Sequence, residues 1–112
     1  MAVDAGVLDS IGVLIESVKA TKDYRDYDMC RNKVLGNQEL KDKILRAKEV
    51  RKQIERLPES ELNGDYADRL EDEYEELTED TDVHVYMQAE LRICGILQQI
   101  LSEVVKSVDV DL

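Results

Sequence analysis

The chain has 112 residues, 15 Lys+Arg against 26 Asp+Glu for a formal net charge of −11, no Trp, no Phe and a single Pro. That length gives one helical domain, residues 1–112, able to bury a core but stabilised further by a partner. The acidic balance and the lack of aromatic–basic interleaving speak against direct nucleic-acid binding; no apolar run reaches the roughly 20 residues of a membrane span, and "MAVDAGVLDS" lacks a basic region before an apolar core, so a cytoplasmic protein without membrane attachment is expected.

Leu, Ile, Val, Glu, Lys and Asp dominate, which favours helices over strands. "VLDSIGVLIESV" sets Val7, Leu8, Ile11, Leu14, Ile15 and Val18 at the spacing of one helical face. Thr21 is positioned to cap a second segment, Lys22 to Leu35, in which Tyr24, Tyr27 and Val34 supply apolar bulk. Gly36 is the expected stop and Asn37 the next cap, with a tight turn between them. Leu40, Ile44, Ala47, Val50 and Ile54 line one side of a helix that must end near Pro58. "PESELNGDY" reads as the main loop, and Tyr66, Leu70, Tyr74 and Leu77 support a short acidic helix after it. "TEDTD" either breaks and re-caps the chain or bends one continuous helix before a long last segment. The predicted fold class is all-α, an antiparallel bundle of four to five helices with a long C-terminal helix.

Charge is distributed unevenly. Residues 59–82 hold 12 acids and one base, while the preceding "QELKDKILRAKEVRKQIERL" carries seven bases against four acids. Such a basic segment followed by an acidic one implies two helices with complementary faces, or separate patches offered to partners.

"TDVHVYMQAELRICGILQQILSEVV" is the most apolar stretch. Turned through about 100° per residue with Ile93 at zero, Tyr86, Ala89, Ile96, Leu97, Ile100 and Val104 fall within about 60° of it. Val83, Val85, Cys94, Leu101 and Val105 widen the arc to roughly 200°, about twice what a surface helix needs. One small bundle is expected to leave Val83, Leu101 or Val105 near the surface. The residues expected to form an interface are therefore Val83, Tyr86, Ile93, Leu97, Ile100, Leu101, Val104 and Val105. Gly95, costly inside a helix by about 1 kcal/mol, would allow another backbone to approach closely. Glu90 falls inside the apolar arc and is the buried polar candidate; it calls for a partner such as Arg25, Arg31 or Arg69, unless its stem packs and its head reaches water.

Chemistry-bearing motifs are sparse. Cys30 and Cys94 form no CxxC pair and read as reduced core residues. A di-metal carboxylate bundle needs two Glu-x-x-His motifs, whereas His84 is the single histidine, with Thr81 three positions before it and Asp80 four before. No catalytic, cofactor-binding or metal-binding residue is assigned, and no cofactor is expected.

"YRDYDMCRNKVLGNQELKDKILRAKEVRKQIER", followed after the acidic stretch by "VHVYMQAELRICGILQQILSEVV", resembles the YlbF/YmcA family of small helical bacterial proteins. The matching positions are Tyr24, Tyr27, Leu35, Asn37, Glu39, Leu40, Tyr86, Ala89 and Glu90, within a resemblance spanning residues 7–106. The resemblance implies a non-enzymatic regulator, commonly dimeric or joined with related helical proteins, in control of competence, biofilm formation, sporulation or RNA processing. Some members carry C-terminal cysteines implicated in iron–sulfur binding; "EVVKSVDVDL" has none, so that property is not transferred. The expectation is a cytoplasmic regulatory or adaptor protein acting as a homodimer or hetero-oligomer. The alternatives are a metal-dependent enzyme of the carboxylate-bundle type, which stoichiometric iron or manganese would reveal, and a structural scaffold subunit.

Overall fold

The computed structural model describes residues 2–109. They form five α-helices, α1 (Ala5–Lys19), α2 (Lys22–Leu35), α3 (Gln38–Glu55), α4 (Asp65–Thr78) and α5 (Thr81–Val108), with one short 3-10 turn at Glu59–Glu61 and no strand among the described residues. The fold is all-α with a long C-terminal helix, as the composition predicts.

Local chemistry sets the boundaries. The Asp4 carboxylate accepts from Gly6 N at 2.9 Å to start α1. Thr21 Oγ1 accepts from Tyr24 N at 3.2 Å and donates to Val18 O at 2.7 Å, closing one helix while opening the next. Asn37 accepts from Leu40 N at 3.1 Å and starts α3, satisfying a donor that helix geometry leaves unpaired. α3 ends at Glu55, three residues before Pro58. The acidic stretch does break: α4 stops at Thr78, and Asp80 Oδ1 accepts from Asp82 N at 2.9 Å in the first turn of α5. The loop expected over residues 58–66 is shorter than predicted, because the 3-10 turn occupies part of it and α4 already begins at Asp65.

The described residues divide into two compact units, residues 30–88 and residues 2–29 with 89–109. In the unit of residues 30–88, α3 packs on α4. Leu40, Ile44, Ala47 and Val50 recur at helical spacing along α3, Ala67 and Leu70 along α4, and all are buried. Val83, Tyr86 and Met87 of α5 are buried too, and Lys48 Nζ lies 5.1 Å from the centre of the Tyr86 ring. The basic α3 meets acids directly: Arg46 forks onto Glu73, with Nη2 to Oε1 at 2.7 Å, and Lys43 Nζ reaches Asp80 Oδ2 at 3.0 Å. Lys33 Nζ of α2 reaches Asp82 Oδ1 at 2.7 Å. Charge complementarity is thus realised within this unit.

In the other unit, α1, residues 22–29 of α2 and α5 from Ala89 onward contain only two buried residues among those described, Ala89 and Ile93. Arg92 Nε lies 3.7 Å from Asp23 Oδ1, and the Lys22 ammonium, 2.7 Å from Asp26, holds that carboxyl below its ordinary range. The Tyr24 and Tyr27 rings sit 6.5 Å apart, tilted by 50°.

The core of residues 30–88 is testable by truncation. Ile44→Ala, at a position 3% exposed, lowers unfolding free energy by about 2–5 kcal/mol, whereas Leu45→Ala next to it, 54% exposed, changes it by less than about 0.5 kcal/mol. Urea denaturation of both variants makes the comparison, and equal losses would refute this assignment of the core.

The ion pairs give a pH prediction. The Arg46 guanidinium holds the Glu73 carboxyl below its ordinary range, and the Lys43 ammonium does the same for Asp80. A depressed carboxyl pKa stabilises the fold above its unfolded value and loses that contribution as pH falls through the folded value. The stability gap between the wild type and Glu73→Gln/Asp80→Asn is therefore widest above about pH 5, closing as pH falls below about 4. The gap also narrows as salt screens these partly exposed pairs. A gap independent of pH contradicts the assignment.

Candidate interaction surface

The site is an apolar face on α1 and the C-terminal half of α5, in the unit of residues 2–29 and 89–109. On α1, Val7, Leu8, Ile11, Leu14 and Ile15 are each 40–53% exposed. Those positions share one helical stripe, which a globular protein ordinarily turns inward. On α5, Leu97, Leu101, Val104 and Val108 are 51–64% exposed. A groove of about 400 Å³ lies in this unit, walled by Leu14, Ile15 and Val18 of α1, Tyr24 and Tyr27 of α2, and Ile93, Leu97 and Ile100 of α5. Lys19, Glu90 and Cys94 complete its lining.

The predicted interface residues divide along α5. Val83, Tyr86 and Ile93 are buried, and of Val83, Leu101 and Val105, the three candidates for a place near the surface, Val83 is fully enclosed and Leu101 is the exposed one. Leu97, Leu101 and Val104 are exposed, while Ile100 and Val105 are half-buried. The N-terminal members thus lie under this chain's own atoms, and the C-terminal members stand open. Periodicity missed the second component, the α1 stripe. Its six apolar positions in "VLDSIGVLIESV" fall on one helical face without being assigned to a contact; their abundance beside so few apolar residues in "KDYRDYDMCRN" is the signal that could have found it.

Glu90 is half-buried instead of buried, since no polar or charged residue among those described is fully enclosed. It lines the groove together with Lys19 and the two tyrosines. Arg69, one of its proposed partners, lies instead over the Tyr66 ring, 6.0 Å from its centre. Gly95 lies on the side of α5 opposite Ile93, and among the described residues no atom outside its own helical turn comes within 4 Å of where a side chain would begin.

The remaining chemistry is dispersed. Cys94 is exposed, Cys30 is half-buried, and neither is in a disulfide. His84 is exposed, and no cluster of three or more His, Cys, Asp or Glu side chains suited to a metal ion occurs among the described residues. A second depression, between α3 and α4, is lined by Lys43, Glu73, Glu76, Leu77 and Asp80, where Lys43, Glu73 and Asp80 are engaged in the ion pairs above. No helix among the described residues is long and apolar enough to cross a membrane.

Comparison with known proteins places these features in a family. The UPF0342 protein STH1710 of Symbiobacterium thermophilum is 28% identical over 101 residues, covering 88% of this chain and 90% of that protein. No solved structure gives a significant match. The sequence model described as "Control of competence regulator ComK, YlbF/YmcA" matches residues 7–109, a span running from α1 through α5 and including both the buried and the open parts of the apolar stripe, and the chain accordingly belongs to the YlbF/YmcA family.

Proposed function

We propose that this protein is a non-enzymatic regulatory adaptor that acts by helix-mediated association, with the α1/α5 face as its contact surface. The observation that carries the reading is the exposure of nine apolar side chains on two helices, Val7, Leu8, Ile11, Leu14 and Ile15 with Leu97, Leu101, Val104 and Val108. Contiguous apolar surface of this kind marks association sites on soluble proteins. Fully burying such a side chain is worth about 1.5–3 kcal/mol, so covering the exposed half of each contributes roughly 1 kcal/mol, or about 10 kcal/mol for the nine. Association costs about 4–15 kcal/mol in lost freedom, so a contact covering most of the face, with an apolar counterpart opposite, has a net gain. A contact covering two or three of these residues does not.

The family description, control of the competence regulator ComK, supports a regulatory role for that association. On this reading the protein works in the cytoplasm, in a homodimer or in a complex with related helical chains, in control of competence, biofilm formation or RNA processing. The single domain, residues 1–112, has its charge-paired helices for stability and its apolar helices for contact.

The reading is tested by cross-linking in the native cell. The full-length wild-type chain is expected in an assembly larger than one subunit, and Leu8→Glu/Leu97→Glu as a single subunit of unchanged helicity, since both positions are about half exposed and tolerate substitution in the isolated chain. A wild-type chain that stays at one-subunit size under these conditions overturns the proposal.

A further inference from the structure

We infer that Asn63 is a site of self-modification: in the folded protein the Asn63–Gly64 unit converts, with water as its co-reactant, to aspartyl and isoaspartyl linkages. The site lies in the connection between α3 and α4, within the unit of residues 30–88, and does not depend on the apolar face described above.

The chemistry needs an amide nitrogen free to reach the side chain before it. The Gly64 backbone nitrogen loses its proton and attacks Asn63 Cγ, the new C–N bond closes a succinimide ring, and the carboxamide nitrogen leaves as ammonia. Water then opens the ring. Breaking the bond from Cγ to the ring nitrogen leaves aspartate, while breaking the bond from the main-chain carbonyl carbon leaves isoaspartate, whose backbone runs through Cβ and Cγ. Carboxamide and water become carboxylic acid and ammonia, and nothing is oxidised or reduced.

Asparagine is among the chemically labile residues of proteins, and of the three in this chain Asn63 alone is placed to react. Asn32 lies inside α2, where the following nitrogen is turned into the helical hydrogen-bond ladder and away from the side chain. Asn37 is held by its bond from Leu40 N and precedes Gln38, whose side chain crowds the attacking nitrogen. Asn63 and Gly64 are exposed and lie outside any helix. The Asn63 carboxamide makes no hydrogen bond among the described residues, and Gly64 has no side chain to obstruct ring closure. The restraint on the nucleophile is its bond to Glu61 O at 3.1 Å, and a single exposed turn bond opens at little cost.

The fold itself does not call for glycine at position 64. Its φ of −85° and ψ of 170° are extended backbone that any residue adopts, and a Cβ built there finds its nearest atom, Glu61 O, at an ordinary contact distance of 3.4 Å. Gly64→Ala therefore alters the reactivity of the turn while leaving its shape. The two products differ in consequence. The aspartyl form adds one negative charge to the formal −11 just ahead of α4, where a helix N-terminus accommodates it. The isoaspartyl form adds a backbone atom before the N-cap Gly64, whose carbonyl accepts from Asp68 N at 3.1 Å in the first turn of α4.

Peptide mapping of the purified full-length chain, held in mildly alkaline buffer, tests the inference. The tryptic peptide of residues 57–69 has Asn63 as its single asparagine. It is expected to give way with time to two products of equal mass, each heavier than the parent by the difference between a hydroxyl and an amino group, one of them isoaspartyl. Asn32 and Asn37 stay intact over the same period. Gly64→Ala slows the conversion severalfold or more at unchanged helicity, because the added methyl hinders the attacking nitrogen. No conversion at Asn63, an aspartyl product with no isoaspartyl companion, or equal rates in the wild type and a folded Gly64→Ala overturns the inference. The isoaspartyl product of the wild-type chain decides the matter even where the variant does not fold.

Discussion

An amphipathic helix must cover its apolar stripe, and the length of α5 makes that requirement the governing constraint on this fold. At about 1.5 Å per residue, its 28 residues extend about 42 Å, against about 27 Å for the 18 of α3 and about 21 Å for the 14 of α4. The first turns of α5 bury Val83, Tyr86 and Met87, and the stripe then continues past the point where this chain encloses it. α1 does not enclose the rest, because its own stripe is also half exposed. Everything functional in the reading above follows from that shortfall of cover.

Charge acts on the other part of the molecule. The acids of residues 59–82 are divided: Glu73, Asp80 and Asp82 face bases of α2 and α3, while Glu71, Asp72, Glu75, Glu76 and Glu79 are exposed. The first group fixes α4 and the start of α5 against the basic helix. The second supplies much of the net charge, which favours solubility. The acid excess and the apolar stripe thus occupy different stretches of the sequence.

The sequence revealed most about this structure where a side chain acts on its own backbone. Thr21, Asn37 and Pro58 act through hydrogen bonds or ring geometry within a few residues, and the helix ends fall where those residues place them. The arc on α5 was legible for the same reason, since angular position depends only on the helix. What periodicity does not carry is axial information. Val83 and Leu101 both lie at about 80° from Ile93 at 100° per residue, yet one is enclosed and the other 61% exposed. Glu90 shows the same limit. Its angle places it among apolar residues, yet it is half-buried and not enclosed.

The composition of the face also bears on how selective its contacts are. Leucine, isoleucine and valine supply affinity without direction, and discrimination between similar partners comes from charges or polar groups that would be left unpaired in the wrong complex. Few such groups border this face. Arg92 is within reach of Asp23 in its own chain, which leaves Glu103, Lys106 and Asp109 as the charged side chains nearest the open end of α5. An apolar face with so few polar groups at its border would discriminate weakly between helices of similar shape.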